Sequence, residues 1–302
     1  MTDLLLDPAP VAAGGLALSR LGWGMWRLRG GDPKLALDLA EAALDAGMTL
    51  FDTADIYGPD NGEPFGAAEA LFGEALARAP GLRSRIVLAT KGGIVIGVPY
   101  NSSAAYLVEA CEASLRRLRT DVIDLYQIHR PDLLAHPAEV AAALDRLRRD
   151  GKIREVGVSN HTAAQTAALQ AHLPFKLASV QPELSALAIG AIEDGVLDHA
   201  MAHKLAVLAW SPLAQGRLAG DAGSDEQAAR VIAALDEIAQ RLGTTRTAVA
   251  IAFVLAHPSR PVALVGSQTP ARLAQARAAL DVRLTRPDWY AILVAARGAP
   301  MP

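Results

Sequence analysis

Eight short apolar runs punctuate this chain, and each is followed by a stretch with helical character. They lie near Leu21–Gly24, Thr49–Thr53, Ile86–Thr90, Ile123–Ile128, Glu155–Ser159, Ala178–Pro182, Ala206–Trp210 and Val262–Gly266. Repeated strand–helix alternation selects a parallel sheet, because a parallel neighbour is reached only through a crossover. Eight units predict a closed (β/α)8 TIM barrel rather than an open sheet. The 302 residues suffice for one such barrel, and no linker or composition shift marks a boundary, so one domain over 1–302 is expected.

Helix ends can be read directly. Asp32-Pro33 supplies a cap followed by proline at the first helical position, and Gly47 stops that helix. Pro137 to Arg149 repeats the pattern, with Gly151 beyond its end. Thr269-Pro270 opens a helix through Leu280, and Pro287 opens a last one. Three stretches escape the alternation: Gly58–Phe65, Gly92–Ser102 and Ser211–Ser224. Each begins where a strand ends, so a barrel would gather all three on one rim as the wall of a small-molecule site. The residues up to Leu18 precede the first strand and fit a plug at the opposite rim.

Composition narrows the function. Lys+Arg 29 against Asp+Glu 32, with no basic block, argues against nucleic acid as a partner. No run approaches a membrane span, and the start of the chain lacks the basic residues and long apolar stretch of a signal peptide. A cytoplasmic protein is expected, monomeric by default. The single cysteine, Cys111, rules out an internal disulfide and lies at helical spacing with Leu107, Leu115 and Leu118, where a core role is expected.

Three of the apolar runs end in titratable residues: Asp52 to Tyr57, Lys91, and His129. Barrels place their chemistry at these C-terminal strand ends. Tyrosine titrates near pH ~10 and is a poor donor unaided. A neighbouring lysine stabilises the phenolate and lowers its pKa, and Asp52 on the adjacent strand can hold that lysine charged. A histidine on the next strand can hydrogen-bond a carbonyl oxygen. The set can protonate an oxygen that is becoming an alkoxide. The hydride must come from elsewhere, since side chains do not supply one.

These residues resemble the aldo-keto reductases. Asp52-Thr53-Ala54 with Tyr57-Gly58, then Thr90-Lys91-Gly92 and His129-Arg130, look like that family's tetrad in strand order. Ile128–Asp132 is similar to a bacterial branch reading Ile-His-Arg-Pro-Asp, and the likeness runs from about Leu21 to the C-terminus. It implies a barrel that binds NADP(H) without a Rossmann fingerprint and reduces a small-molecule aldehyde or ketone. Tyr57 would be the acid, Lys91 its partner, Asp52 the counter-ion and His129 the carbonyl-orienting group. Within Leu21–Trp26, Trp26 would line the substrate pocket and Met25 would lie near the nicotinamide ribose.

The same resemblance implies the remaining cofactor contacts. Ser159, Asn160 and Gln181 would hold the carboxamide, and Trp210 would stack on the nicotinamide. Ser211, Leu213 and Gly216 would hold the pyrophosphate. Ser267 and Arg272 would reach the adenosine phosphate, with Gln275 near the adenine. Gly266 stands where many members carry a lysine beside the 2′-phosphate, Val180 replaces an asparagine before the glutamine, and Ala276 replaces an adenine-binding asparagine. The first weakens the preference for NADP(H) over NAD(H), while Arg272, with its planar fork, keeps it.

Other readings stand beside this one. Singly, Asp52 could cap a helix, Tyr57 could pack, Lys91 could be solvated and His129 could bond backbone. A cofactor sensor on the same fold, or a metal hydrolase using Asp52, Asp55 and His129, are alternatives from other classes. Tyr100 and Tyr106 could touch substrate or lie at the surface, and Trp23 is expected to be structural. The other histidines, including His199 and His203 at helical spacing, show no ligand motif.

Overall fold

The computed structural model describes residue 4 and residues 6–302. A two-stranded hairpin, β1 (Val11–Ala13) and β2 (Leu16–Leu18), precedes eight barrel strands. These are β3 (Leu21–Gly24), β4 (Leu50–Asp52), β5 (Val87–Gly92), β6 (Ile123–Ile128), β7 (Ile153–Ser159), β8 (Ser179–Gln181), β9 (Ala206–Ala209) and β10 (Val262–Val265). They close in sequence order, β10 pairing with both β9 and β3, and every neighbour is parallel. The (β/α)8 barrel is the fold that the eightfold alternation predicts.

The outer layer follows the sequence punctuation. Helices α1 (Pro33–Asp45), α2 (Ala67–Arg78), α3 (Ala104–Leu118), α4 (Pro137–Arg149) and α5 (Ala163–Gln170) follow the first barrel strands. Then come α6 (Gly190–Glu193), α7 (Val196–His203), α8 (Glu226–Leu242), α9 (Arg246–Leu255), α10 (Pro270–Ala276) and α11 (Arg286–Arg297). Asp32 caps α1 by accepting from the Lys34 amide, while Thr162 and Thr285 form capping boxes with Gln165 and Asp288. Such caps contribute about 1 kcal/mol each. His136 caps α4 through Nδ1, a role the sequence reading missed because histidine is not an ordinary cap. The helix expected through Leu280 is α10 followed by a 3-10 turn at Arg277–Leu280.

Two cores result. One lies between sheet and helices, where Trp23 packs edge-on against Phe51 and Phe72 with centroids at 5.2 and 6.1 Å, a structural role as expected. Gly73 on α2 lets that helix approach α3: a Cβ there would stand 2.0 Å from the Arg117 carbonyl oxygen. The second core fills the barrel's N-terminal end. There Val11, Ala13 and Leu18 of the hairpin pack with Leu50, Ala89, Leu125, Ala206 and Leu264. The hairpin is therefore the plug anticipated within the residues up to Leu18, of which 1–3 and 5 lie outside the described residues. Cys111 is fully buried, and burial pushes its thiol up to about 12, so it packs rather than reacts. Among the described residues no helix is long and apolar enough to cross a membrane.

Candidate active site

With the hairpin closing one end, the opposite rim carries the polar strand ends. β4 ends in Asp52, β5 carries Lys91, and His129 follows β6 directly. Lys91 Nζ donates to Asp52 Oδ2 at 2.7 Å, to the Thr53 carbonyl at 2.7 Å and to the Tyr57 hydroxyl at 3.2 Å. The Lys91 and Asp52 side chains are 1% and 4% exposed, so this is a desolvated pair and not a surface ion pair. Tyr57 is brought over the lysine by the turn Ala54–Tyr57, whose amide donates to the Ala54 carbonyl. His129 stands edge-on to Tyr57, with ring centroids 5.8 Å apart. The four residues named from the strand ends thus converge on one point.

Electrostatics give each group a state. Burial alone lowers the Lys91 pKa, but Asp52 and Tyr57 outweigh it and hold the ammonium above its ordinary value. Burial raises the Tyr57 phenol; Lys91 opposes this, as the sequence reading expects, but does not reverse it. Tyr57 is accordingly a protonated donor at neutral pH, not a partly ionised one. Burial first, then the charges of Lys91 and Arg130, push His129 well below 6.5, so its imidazole is neutral. A neutral imidazole carries one N–H and can donate to an oxygen without contributing charge.

A polar layer beneath this group was not foreseen. Gln127, paired in register with Lys91, donates to Asp52 Oδ1 at 3.3 Å. Gln181 donates to the same oxygen at 3.0 Å. Its amide is thus turned toward Asp52. The one signal for Gln127 in the sequence is a polar side chain inside an otherwise apolar run.

The other expected positions form a continuous arc around the rim. Ser159 Oγ donates to the Gln181 carbonyl, Asn160 Nδ2 donates to the His129 carbonyl and to Ser159 Oγ, and Trp210 Nε1 donates to Asn160 Oδ1. Asn160 adopts a left-handed φ of 57°, which turns its side chain back across the strand ends. Beyond Trp210, Ser211 (φ 53°) and Gly216 (φ 99°) bend the chain sharply around Leu213. Among the described residues nothing accepts a hydrogen bond from the Ser211 or Leu213 amide. Ser267 follows β10 and accepts from the Thr269 amide, Gly266 is exposed beside Gly24, and Arg272 and Gln275 lie exposed on α10. No acceptor within hydrogen-bond reach engages the Arg272 guanidinium among the described residues.

Met25 and Trp26 follow the first barrel strand. Met25 is fully buried and so does not line the mouth with its side chain. Trp26 does face the mouth region, its Nε1 donating to Asp60 Oδ2 at 3.0 Å and its carbonyl accepting from Asn61. Tyr106 donates to the Ile94 carbonyl and so braces the loop after β5, while Tyr100 pairs with Ile94 across that loop's hairpin and is half exposed. Asp55 is separated from the cluster. Lys91 points inward, so Gly92 faces outward, and the Asp55 carboxyl lies on that outer side beside the Tyr126 hydroxyl. Asp52, Asp55 and His129 therefore share no common centre, and among the described residues no three His, Cys, Asp or Glu side chains cluster as metal ligands.

The donor set fits a dinucleotide of the nicotinamide type. Free amides at Ser211 and Leu213 and the free guanidinium of Arg272 are suited to phosphate oxygens, and Trp210 offers an aromatic plane beside the polar cluster. Comparison with known proteins gives the family. Residues 20–295 match the model of the Aldo/keto reductase family. A 6-dehydroglucose reductase of Novosphingobium aromaticivorans is 52% identical over the full length of both chains. A protein of the same name from Agrobacterium fabrum is 37% identical over 94% of this chain and 96% of its own. The solved glycerol dehydrogenase of Gluconobacter oxydans superposes with a TM-score of 0.83 at 28% identity, covering 98% of this chain and 97% of that one.

Proposed function

The chain belongs to the aldo/keto reductase family, and from that premise we propose that it reduces an aldehyde or ketone to the alcohol with NADPH, Tyr57 giving the proton. The observation that carries the reading is the buried relay from Asp52 through Lys91 to the Tyr57 hydroxyl, at 2.7 and 3.2 Å, beside a neutral His129. When bound, the reduced nicotinamide supplies the hydride that side chains lack. Ser159, Asn160 and Trp210 would hold its ring end, Ser211, Leu213 and Gly216 its pyrophosphate, and Ser267, Arg272 and Gln275 its adenosine end. Gln181 would reach the carboxamide by letting go of Asp52.

On this reading His129 donates to the substrate carbonyl oxygen and fixes it within reach of the Tyr57 hydroxyl. As negative charge grows on that oxygen, the phenolic proton moves to it. The Lys91 ammonium then stabilises the phenolate, because it lies within hydrogen-bond reach and is held charged by Asp52. Burial makes this stabilisation matter more than it would in water.

The test is nicotinamide absorbance in a mixture of purified protein, NADPH and carbonyl compound. 6-Dehydroglucose is the first substrate to try, given the names of the two relatives, and an activated aromatic aldehyde the second. The expected result is steady NADPH consumption that requires both protein and carbonyl, with a higher kcat/KM for NADPH than for NADH. Tight NADPH binding with no turnover on either compound would favour a sensor instead. The pH profile is a second prediction. His129 titrates well below 6.5 and Tyr57 above 10.0, so kcat/KM should stay flat between these two values. A bell-shaped optimum inside that window would show that another group controls the proton.

A further inference from the structure

Arg130 is the charged residue at the reacting centre that the proposed mechanism does not use. It follows His129 directly, is partly buried, and lies over the Trp210 ring with its guanidinium carbon 5.8 Å from the centroid. Its charge is felt by Tyr57, His129 and the Glu183 carboxyl. Among the described residues it forms no hydrogen bond and no ion pair within 4.0 Å. By contrast Arg27 donates to the Gln215 carbonyl, and Arg117 pairs with Glu69.

A free guanidinium in the open is solvated and needs no explanation. One that follows His129 and lies against Trp210 is different, because a substrate held by His129 displaces the water on it. Five donors would then be stripped of partners, and each buried unpaired donor costs roughly 1–3 kcal/mol. A substrate without oxygen acceptors is disfavoured at such a site, whereas one that carries them is selected. Glu183 decides which acceptors are suitable. It follows Gln181-Pro182 at the end of β8, its carboxyl is partly buried, and it forms a parallel bridge with Trp210 through the backbone. A carboxylate there opposes an anionic substrate. Hydroxyl groups satisfy both partners, since each can accept from a guanidinium and donate to a carboxylate.

The geometry points to Arg130 and Glu183 as a specificity pair that selects neutral, hydroxyl-bearing aldehydes or ketones, the hydroxyls next to the reacting carbonyl lying between them. This rests on the carbonyl-reductase reading above and adds to it the residues that choose the substrate. Arg130 adjoins His129 in the chain, and both residues of the pair meet Trp210, Arg130 over its ring and Glu183 through the backbone, so the pair acts near the carbonyl and not on a remote tail.

The test compares three matched three-carbon aldehydes, D-glyceraldehyde, propanal and D-glyceraldehyde 3-phosphate, with wild type, Arg130→Met and Arg130→Lys. The expected result is a wild-type kcat/KM that favours glyceraldehyde over the other two. In Arg130→Met the glyceraldehyde-to-propanal ratio of kcat/KM should fall at least tenfold, chiefly through KM for glyceraldehyde, and Arg130→Lys should recover part of it. NADPH binding measured by fluorescence titration confirms that each variant is folded and loaded. An unchanged ratio in Arg130→Met overturns the proposal, as does a wild-type preference for the phosphorylated aldehyde. A wild type that turns over propanal but not glyceraldehyde also overturns it while leaving the reductase reading intact. Turnover of no carbonyl at all removes the reductase reading, and the specificity pair with it.

Discussion

Replacing Tyr57 with phenylalanine should lower kcat by about 10²–10⁴-fold, the usual contribution of a positioned acid. The substitution removes one oxygen and leaves the ring. Lys91 keeps its bonds to Asp52 Oδ2 and to the Thr53 carbonyl, both at 2.7 Å, so the buried ammonium stays partnered. Among the described residues, none in the arc from Ser159 to Ser211 hydrogen-bonds to the lost hydroxyl, whose partner is Lys91. NADPH affinity and the unfolding midpoint should therefore stay near those of the unaltered protein. Single-turnover reduction together with a cofactor titration separates the outcomes. Loss of cofactor binding along with activity, or retention of kcat, would contradict the acid role.

Substituting Lys91 with methionine should damage stability and catalysis together. The lysine is buried with Asp52, and removing one partner of a buried pair costs roughly 3–5 kcal/mol because the other charge is left without its counter-ion. Gln127 and Gln181 still donate to Asp52 Oδ1, which softens the loss without replacing a cation. The double variant Lys91→Met with Asp52→Asn should recover much of the stability and none of the activity. Denaturant midpoints and kcat measured on the unaltered protein and the two variants check this, and equal stability of the single and double variants would refute it. The sign with pH is also set. The folded pKa of Lys91 lies above its unfolded 10.5, so its contribution is complete below 10.5 and fades as pH rises through the folded value. Lys91→Met should lack that alkaline decline.

Much of this site was legible in the sequence because barrels present chemistry at strand ends. Asp52, Lys91 and His129 each terminate or follow an apolar run, and three adjacent parallel strands must bring their ends together. The helices were legible where local chemistry marks them, as at Asp32-Pro33 and Pro137. Local rules fail where a contact spans distant segments. Gln127 looks like an interruption of a strand until its register with Lys91 and its reach to Asp52 are known. Arg130 and Glu183 are unremarkable surface types in sequence, and only the closure of β6 and β8 onto one rim sets them around Trp210. His136 as a cap is visible only from the bond its ring makes.

The direction of the Tyr57 shift draws the line most clearly. Residue types and strand order were enough to place an ammonium beside the phenol, and so to predict that it would be helped toward ionisation. Whether that help prevails depends on how much water the closed barrel leaves at the hydroxyl, and burial there outweighs the lysine. The amino-acid sequence by itself determined the barrel, its plugged end and which titratable groups meet at the open rim, because these follow from periodicity, chain punctuation and strand order. Only the tertiary structure decided the protonation states, the partners of Asp52 and the placement of Arg130 over Trp210. Those depend on desolvation and on distances between segments far apart in the chain, which no local pattern encodes.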